Sequence, residues 1–149
     1  MTILLIGECL PYRNCDASFD NSQGRLLASA CGISVNQLQQ LCTCRYVLSR
    51  HVPSHLRNDK YRKELMIAIG IDIEPMMLEY DITIFIGKRL MGVMYRQKID
   101  FFTEYWTRFL QQESMIACIP NPLAEHWWKE DSNVAKVSAF MQTMFREYC

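Results

Sequence analysis

Four short and almost uninterrupted apolar runs constrain this chain most: Thr2 to Ile6, Cys44 to Leu48, Ile82 to Ile86 and Met115 to Ile119. Each is partly β-branched and ends at Gly, Ser or Pro, as strands do. A strand that is apolar on both sides must be covered on both sides, which points to a parallel sheet between helical layers. Helical spacing fills the intervals, over Gly24 to Ala30, Val35 to Leu41, Asp59 to Ile69, Glu74 to Tyr80, Arg89 to Tyr95 and Asp100 to Leu110. After the capping residues Asp131, Ser132 and Asn133, an apolar stripe of Val134, Val137, Phe140, Met141, Met144 and Phe145 defines a last helix. The expectation is an α/β chain forming one domain over residues 1–149. It is a three-layer sandwich with a four-stranded parallel sheet flanked by helices.

Open sheets of this kind bind ligands beyond the carboxyl ends of their strands, so the residues after each run carry the functional reading. The first run leads into Gly7-Glu8-Cys9-Leu10-Pro11-Tyr12 and the second into Arg50-His51-Val52-Pro53-Ser54-His55. Gly87-Lys88-Arg89 follows the third, and Pro120-Asn121-Pro122, then His126-Trp127-Trp128, the fourth. On the residues alone, a glycine after a first strand serves equally well to permit a tight turn. A tryptophan pair before a helix serves equally well as packing.

Lys and Arg total 16 and so do Asp and Glu, so no net field holds the molecule to a polyanion and any nucleic-acid binding rests on local patches. Two patches stand out. Arg45, Arg50, Arg57, Lys60, Arg62 and Lys63 have Asp59 as the one acid among them, and Lys88, Arg89, Arg96 and Lys98 form a second group. Such groups neutralise phosphates. For Lys60 to Lys63 a solvated helix face is an equal reading, whereas Arg50, His51 and His55 sit on an irregular turn suited to contact with DNA.

Seven cysteines, an odd number, read as reduced thiols, and the four apolar residues Ile3 to Ile6 lack a basic leader. The expectation is a cytoplasmic protein with no membrane span and no obligate protein partner. Cys42, Cys44, His51 and His55 are four zinc-ligand types, yet the one-residue gap between the cysteines misses finger spacing. An iron–sulfur cluster needs a fuller cysteine set. No metal or other cofactor is expected.

Taken together, Gly7-Glu8 with Pro11-Tyr12, Asp16-Ala17-Ser18-Phe19, Gly24-Arg25-Leu26, the turn at Gly87, and Pro120-Asn121-Pro122 through Trp128 resemble, in order, the motifs of the uracil-DNA glycosylase superfamily. The resemblance implies an enzyme that flips a nucleotide from DNA and hydrolyses its base–sugar bond, leaving an abasic site. Glu8 or Asp16 would serve the sugar and water, as carboxylates do in glycoside chemistry. Phe19 would stack the base, with Tyr12 and Cys9 lining the pocket beside it, and Asn121 would contact the base. Arg50, His51, Lys88 and Arg89 would hold the DNA backbone, and His126 or Leu123 would fill the gap in the duplex.

Three departures bear on the substrate. The family's second-motif histidine is Asn121 here and its serine is Leu123, and no asparagine for reading uracil stands among Tyr46, Val47 and Leu48. Asn121 can donate a neutral hydrogen bond but cannot carry a proton to the leaving base. The loop between Phe19 and Gly24 is also short. These changes direct the expectation to a modified pyrimidine, such as one in bacteriophage DNA attacked as antiviral defence. Conventional uracil repair, a catalytically silent nucleic-acid binder and a nucleoside hydrolase remain alternatives.

Overall fold

The computed structural model describes residues 2–9, 19–109 and 111–149, with Glu125 described by its backbone alone. Five strands form one sheet in the order β2-β1-β3-β5-β4. β1 (Ile3–Cys9), β2 (Cys42–Leu48), β3 (Ile82–Ile86) and β5 (Gln112–Ile119) are parallel, and β4 (Tyr105–Phe109) runs antiparallel to β5 at the edge. Leu5 stands opposite both Cys44 and Ile84, and Ile84 opposite Ala117, so the apolar runs lie side by side.

Alternation along β1 divides the core. Ile3 and Leu5 pack on one face with Leu27, Leu38, Val137 and Met141, which come from α1 (Ser22–Ala30), α2 (Val35–Leu41) and α7 (Asp131–Tyr148). Leu4 and Ile6 pack on the other with Tyr61, Leu65, Leu90 and Met91, from α3 (Asp59–Ala68) and α5 (Lys88–Met94). A buried Leu or Ile contributes roughly 1.5–3 kcal/mol, so a sheet covered on one face alone would forfeit half of this core. The result is three layers.

Side chains fix the starts of the helices. Asn21 and Asn58 each accept a backbone N–H three residues on, and Ser34 and Gln37 cap each other's backbone reciprocally. α3 continues through a π-helical turn, Ile69–Ile73, into the short α4 (Glu74–Met77), so the helix expected to reach Tyr80 stops early.

Two expectations need correction. The segment expected as a helix over 100–110 forms none in its described residues 100–109: Tyr105, Thr107 and Phe109 alternate with the more exposed Trp106 and Arg108, a period of two, and Gln111 at φ +64° precedes the strand that pairs with β4. The sheet therefore has five strands rather than four, the fifth antiparallel. Gly7 and Glu8 lie within β1 rather than on a turn after it. Gly7 is needed for close approach, because a Cβ there would sit 2.5 Å from the Tyr46 ring.

Candidate functional site

From β1 the chain crosses to β2 on one side and later to β3 on the other, so a crevice opens where their carboxyl ends part. There Glu8 from β1, the Gly87–Arg89 turn after β3, Asn121 after β5 and Trp127 of α6 (Glu125–Trp128) line a cavity of about 330 Å³. Arg57 and Phe101 complete its wall.

Glu8 is held from three directions. Arg89 meets it with two nitrogens, Nε at 3.2 Å and Nη2 at 3.0 Å, Arg57 Nη1 lies 3.2 Å away, and the Tyr61 hydroxyl donates to Oε2 at 2.7 Å. The Asn58 cap sets the first turn of α3, which aims Arg57 and Tyr61 back at β1. Arg57 is fixed further by donating to the Val52 carbonyl at 3.0 Å and to Cys9 Sγ at 3.4 Å. Burial first, and the bond to Glu8 second, push the Tyr61 phenol well above its ordinary value, so it remains a donor. Lys88 lies over the Phe101 ring at 4.4 Å from its centroid. Arg57, Lys88 and Arg89 thus outnumber Glu8 on the wall, and the mouth of the cavity suits an anion.

A neutral relay reaches the cavity from the opposite flank. Buried Asn21 donates to the Tyr46 hydroxyl at 2.8 Å, Tyr46 donates to Gln23 Oε1 at 2.7 Å, and Gln23 Nε2 donates to Asn121 Oδ1 at 2.9 Å. The Leu123 backbone N–H also donates to Asn121 Oδ1, at 2.9 Å, which fixes which way the amide faces. With that oxygen taken twice and no acceptor for the amide among the described residues, the Asn121 N–H donors can meet a ligand. Phe19 supports the relay: its ring is fully buried, 4.6 Å from that of Tyr46, on a backbone at φ +74°. Gly24 must be glycine, since a Cβ there would fall 1.8 Å from the Phe19 carbonyl oxygen.

The expected site residues therefore separate. Glu8, Lys88, Arg89 and Asn121 come together on the cavity, while Cys9 borders it through Arg57. Tyr12 and Asp16 lie outside the described residues. Phe19 is fully buried in the core beside Tyr46, its ring 4.6 Å from that of Tyr46, and does not line the cavity. Arg50 pairs with Glu64 at 2.6 Å, and neither it nor His51 or His126 lines the cavity. Arg57 was named only as a member of the first basic patch, and Tyr61, Gln23 and Tyr46 were not foreseen as site residues. The helix also carries Ser22, Arg25 and Ser29, so no local signal in the sequence marks Gln23.

Among the described residues no group of three or more His, Cys, Asp or Glu side chains is placed to hold a metal ion, and no helix is long and apolar enough to cross a membrane. Six described cysteines are free. Burial pushes the Cys31, Cys44 and Cys118 thiols up to about 12, and Cys42 higher still, so none is a ready nucleophile. No protein-family model matches the chain, and no curated protein matches it.

Proposed function

We propose that this chain is a DNA glycosylase of the uracil-DNA glycosylase type, acting on a flipped-out modified pyrimidine. The observation that carries the reading is the convergence of Glu8, Lys88, Arg89 and Asn121, from the ends of three neighbouring strands, on one cavity at the switch point of the sheet. In the reaction the C1′–N bond breaks and its electron pair leaves with the base. The oxygen of a water molecule bonds to C1′, and a proton from that water ends on the base. Asn121 donates to the base oxygen where negative charge develops, an effect that such a donor produces without moving.

The charges divide the two carboxylates. Glu8 is met by two guanidinium groups, so its field is more than offset at the mouth and it is poorly suited to stabilising a cationic sugar. Its part is to hold Arg57 and Arg89 toward the phosphates of the flipped nucleotide. The resemblance then leaves Asp16, which lies outside the described residues, for the sugar and the water. The same offset charge favours a second reading, a nucleic-acid binder without turnover.

The test is incubation of the intact protein with DNAs carrying uracil, hydroxymethylated or glycosylated pyrimidines, followed by mass spectrometry of released bases. Release of a modified pyrimidine, with an intact abasic strand, is expected. Release of uracil alone would return the protein to conventional repair, and tight binding with no release from any DNA would leave the silent binder.

A further inference from the structure

From the spread of cations beyond the cleft we infer that the groove between α3 and α5 is a second nucleic-acid contact, a track that takes the phosphates of the strand flanking the bound nucleotide; it rests on the reading of the cleft given above. One end of the groove, about 340 Å³, lies beside Arg57 and Arg89, and the other, about 650 Å³, runs to Lys88 and Arg96. Arg62 and Gly92 border both ends, and Lys88 borders the groove and the cleft alike, so the path is continuous.

One feature indicates an anion and a second keeps the path open, with Asp59 bordering only the narrower end. No acidic side chain lines the wider part, although Arg62, Lys88 and Arg96 all do, and neither Arg62 nor Arg96 has an ion-pair partner among the described residues. In a chain whose charges balance, three cations gathered without a carboxylate repel one another until an anion joins them. The second feature is Gly92. It costs roughly 1 kcal/mol inside a helix relative to alanine. No neighbour requires it, since an added Cβ would meet only Ile99, at 4.0 Å. Its effect is to leave the floor of the groove open. Repeated cations along an open groove suit the repeated charges of a phosphodiester chain better than a single phosphate.

Fluorescence anisotropy with a labelled single-stranded oligodeoxynucleotide of about 20 residues, over a salt series, tests this against a labelled trinucleotide. For single strands the log–log salt slope changes by about 0.7 for each phosphate contact. Arg62→Glu combined with Arg96→Glu is expected to weaken the long probe at least about tenfold and to flatten the slope by about 1.4, leaving the trinucleotide unchanged. Gly92→Gln, which fills the groove without altering charge, is expected to weaken the long probe alone and serves if the double variant fails to fold. Wild-type affinity in Gly92→Gln and in the double variant would overturn the track, as would an equal loss in Lys136→Glu/Arg146→Glu on α7. Base release is scored separately. Release with no effect of the groove variants sinks the track alone, whereas weakened binding with no release from any DNA sinks the glycosylase reading and leaves the track.

Discussion

The two flanks of the cavity are built from different chemistry. On the α3 and α5 side stand charges, with Glu8 between Arg57 and Arg89, and the Arg89 side chain is 55 % exposed. On the α1 side stands a neutral relay, Asn21 to Tyr46 to Gln23 to Asn121, whose first three members are at most 8 % exposed. Exposed charges are screened by salt and can shift to meet a mobile phosphate. A buried relay tolerates no missing member, because each unpaired group bears its full desolvation cost. On the proposed reading, the rigid flank would serve a base that must be read in one orientation, and the charged flank a backbone that only needs to be held.

On the proposed reading, the largest effects should follow from the two residues assigned to the base and the sugar. Asp16→Asn and Asn121→Ala are each expected to lower base release by roughly 10²–10³-fold while oligonucleotide affinity stays near wild type, since the lost interactions strengthen only in the transition state. Tyr46→Phe should reduce kcat with little change in KM, because it frees the relay without touching DNA. If Tyr46→Phe changed only thermal stability, the relay would be structural and the contrast between the flanks would lose its functional half.

Stability should respond more strongly on the neutral flank. Gly24→Ala places a methyl against the Phe19 backbone, which cannot yield, and is expected to cost about 3 kcal/mol or more. Gly7→Ala meets the Tyr46 ring, which can rotate away, and should cost about 1–3 kcal/mol, read from urea midpoints. On the charged flank Glu8→Gln should cost about 1–2 kcal/mol, discounted for the exposure of Arg89. Binding to DNA should change little, since the negative charge removed from among three cations offsets the looser hold on Arg57 and Arg89. Loss of base release with unchanged affinity in Glu8→Gln would reassign the sugar-facing role from Asp16 to Glu8.

The same division explains what the sequence disclosed. The parallel strands were legible because continuous apolar runs have few alternatives, and Glu8, Lys88, Arg89 and Asn121 were legible because they follow those runs. β4 was not, since Phe101, Tyr105 and Phe109 recur every four residues, a spacing that fits a helix as well as the strand alternation it shares. Arg57 and Tyr61 read as members of a basic amphipathic stretch, and nothing local says that α3 docks them onto Glu8. Tyr46 read as an apolar strand residue, because a hydroxyl's partners are fixed only when α1 packs against β2.

The last prediction concerns alkali, and it also divides the faces of the sheet. Cys31 and Cys42 belong to the core beneath α1 and α7 and Cys44 packs against it, whereas Cys118 lies in the opposite core. In the folded chain burial raises all four thiols above the ordinary value of 9.0. Below that value folded and unfolded chains both hold these protons, and the thiols give stability no pH dependence. Above it the unfolded chain releases protons that the folded chain retains, so stability falls as pH rises from about 9 toward 12. Urea midpoints at intervals across that range should decline in the wild type. The decline should be shallower in Cys31→Ala/Cys42→Ala than in Cys118→Ala, because the double variant removes two raised thiols and the other removes one. Equal slopes in all three proteins would mean that these thiols ionise in place and that the α1 face is wetter than its buried relay requires.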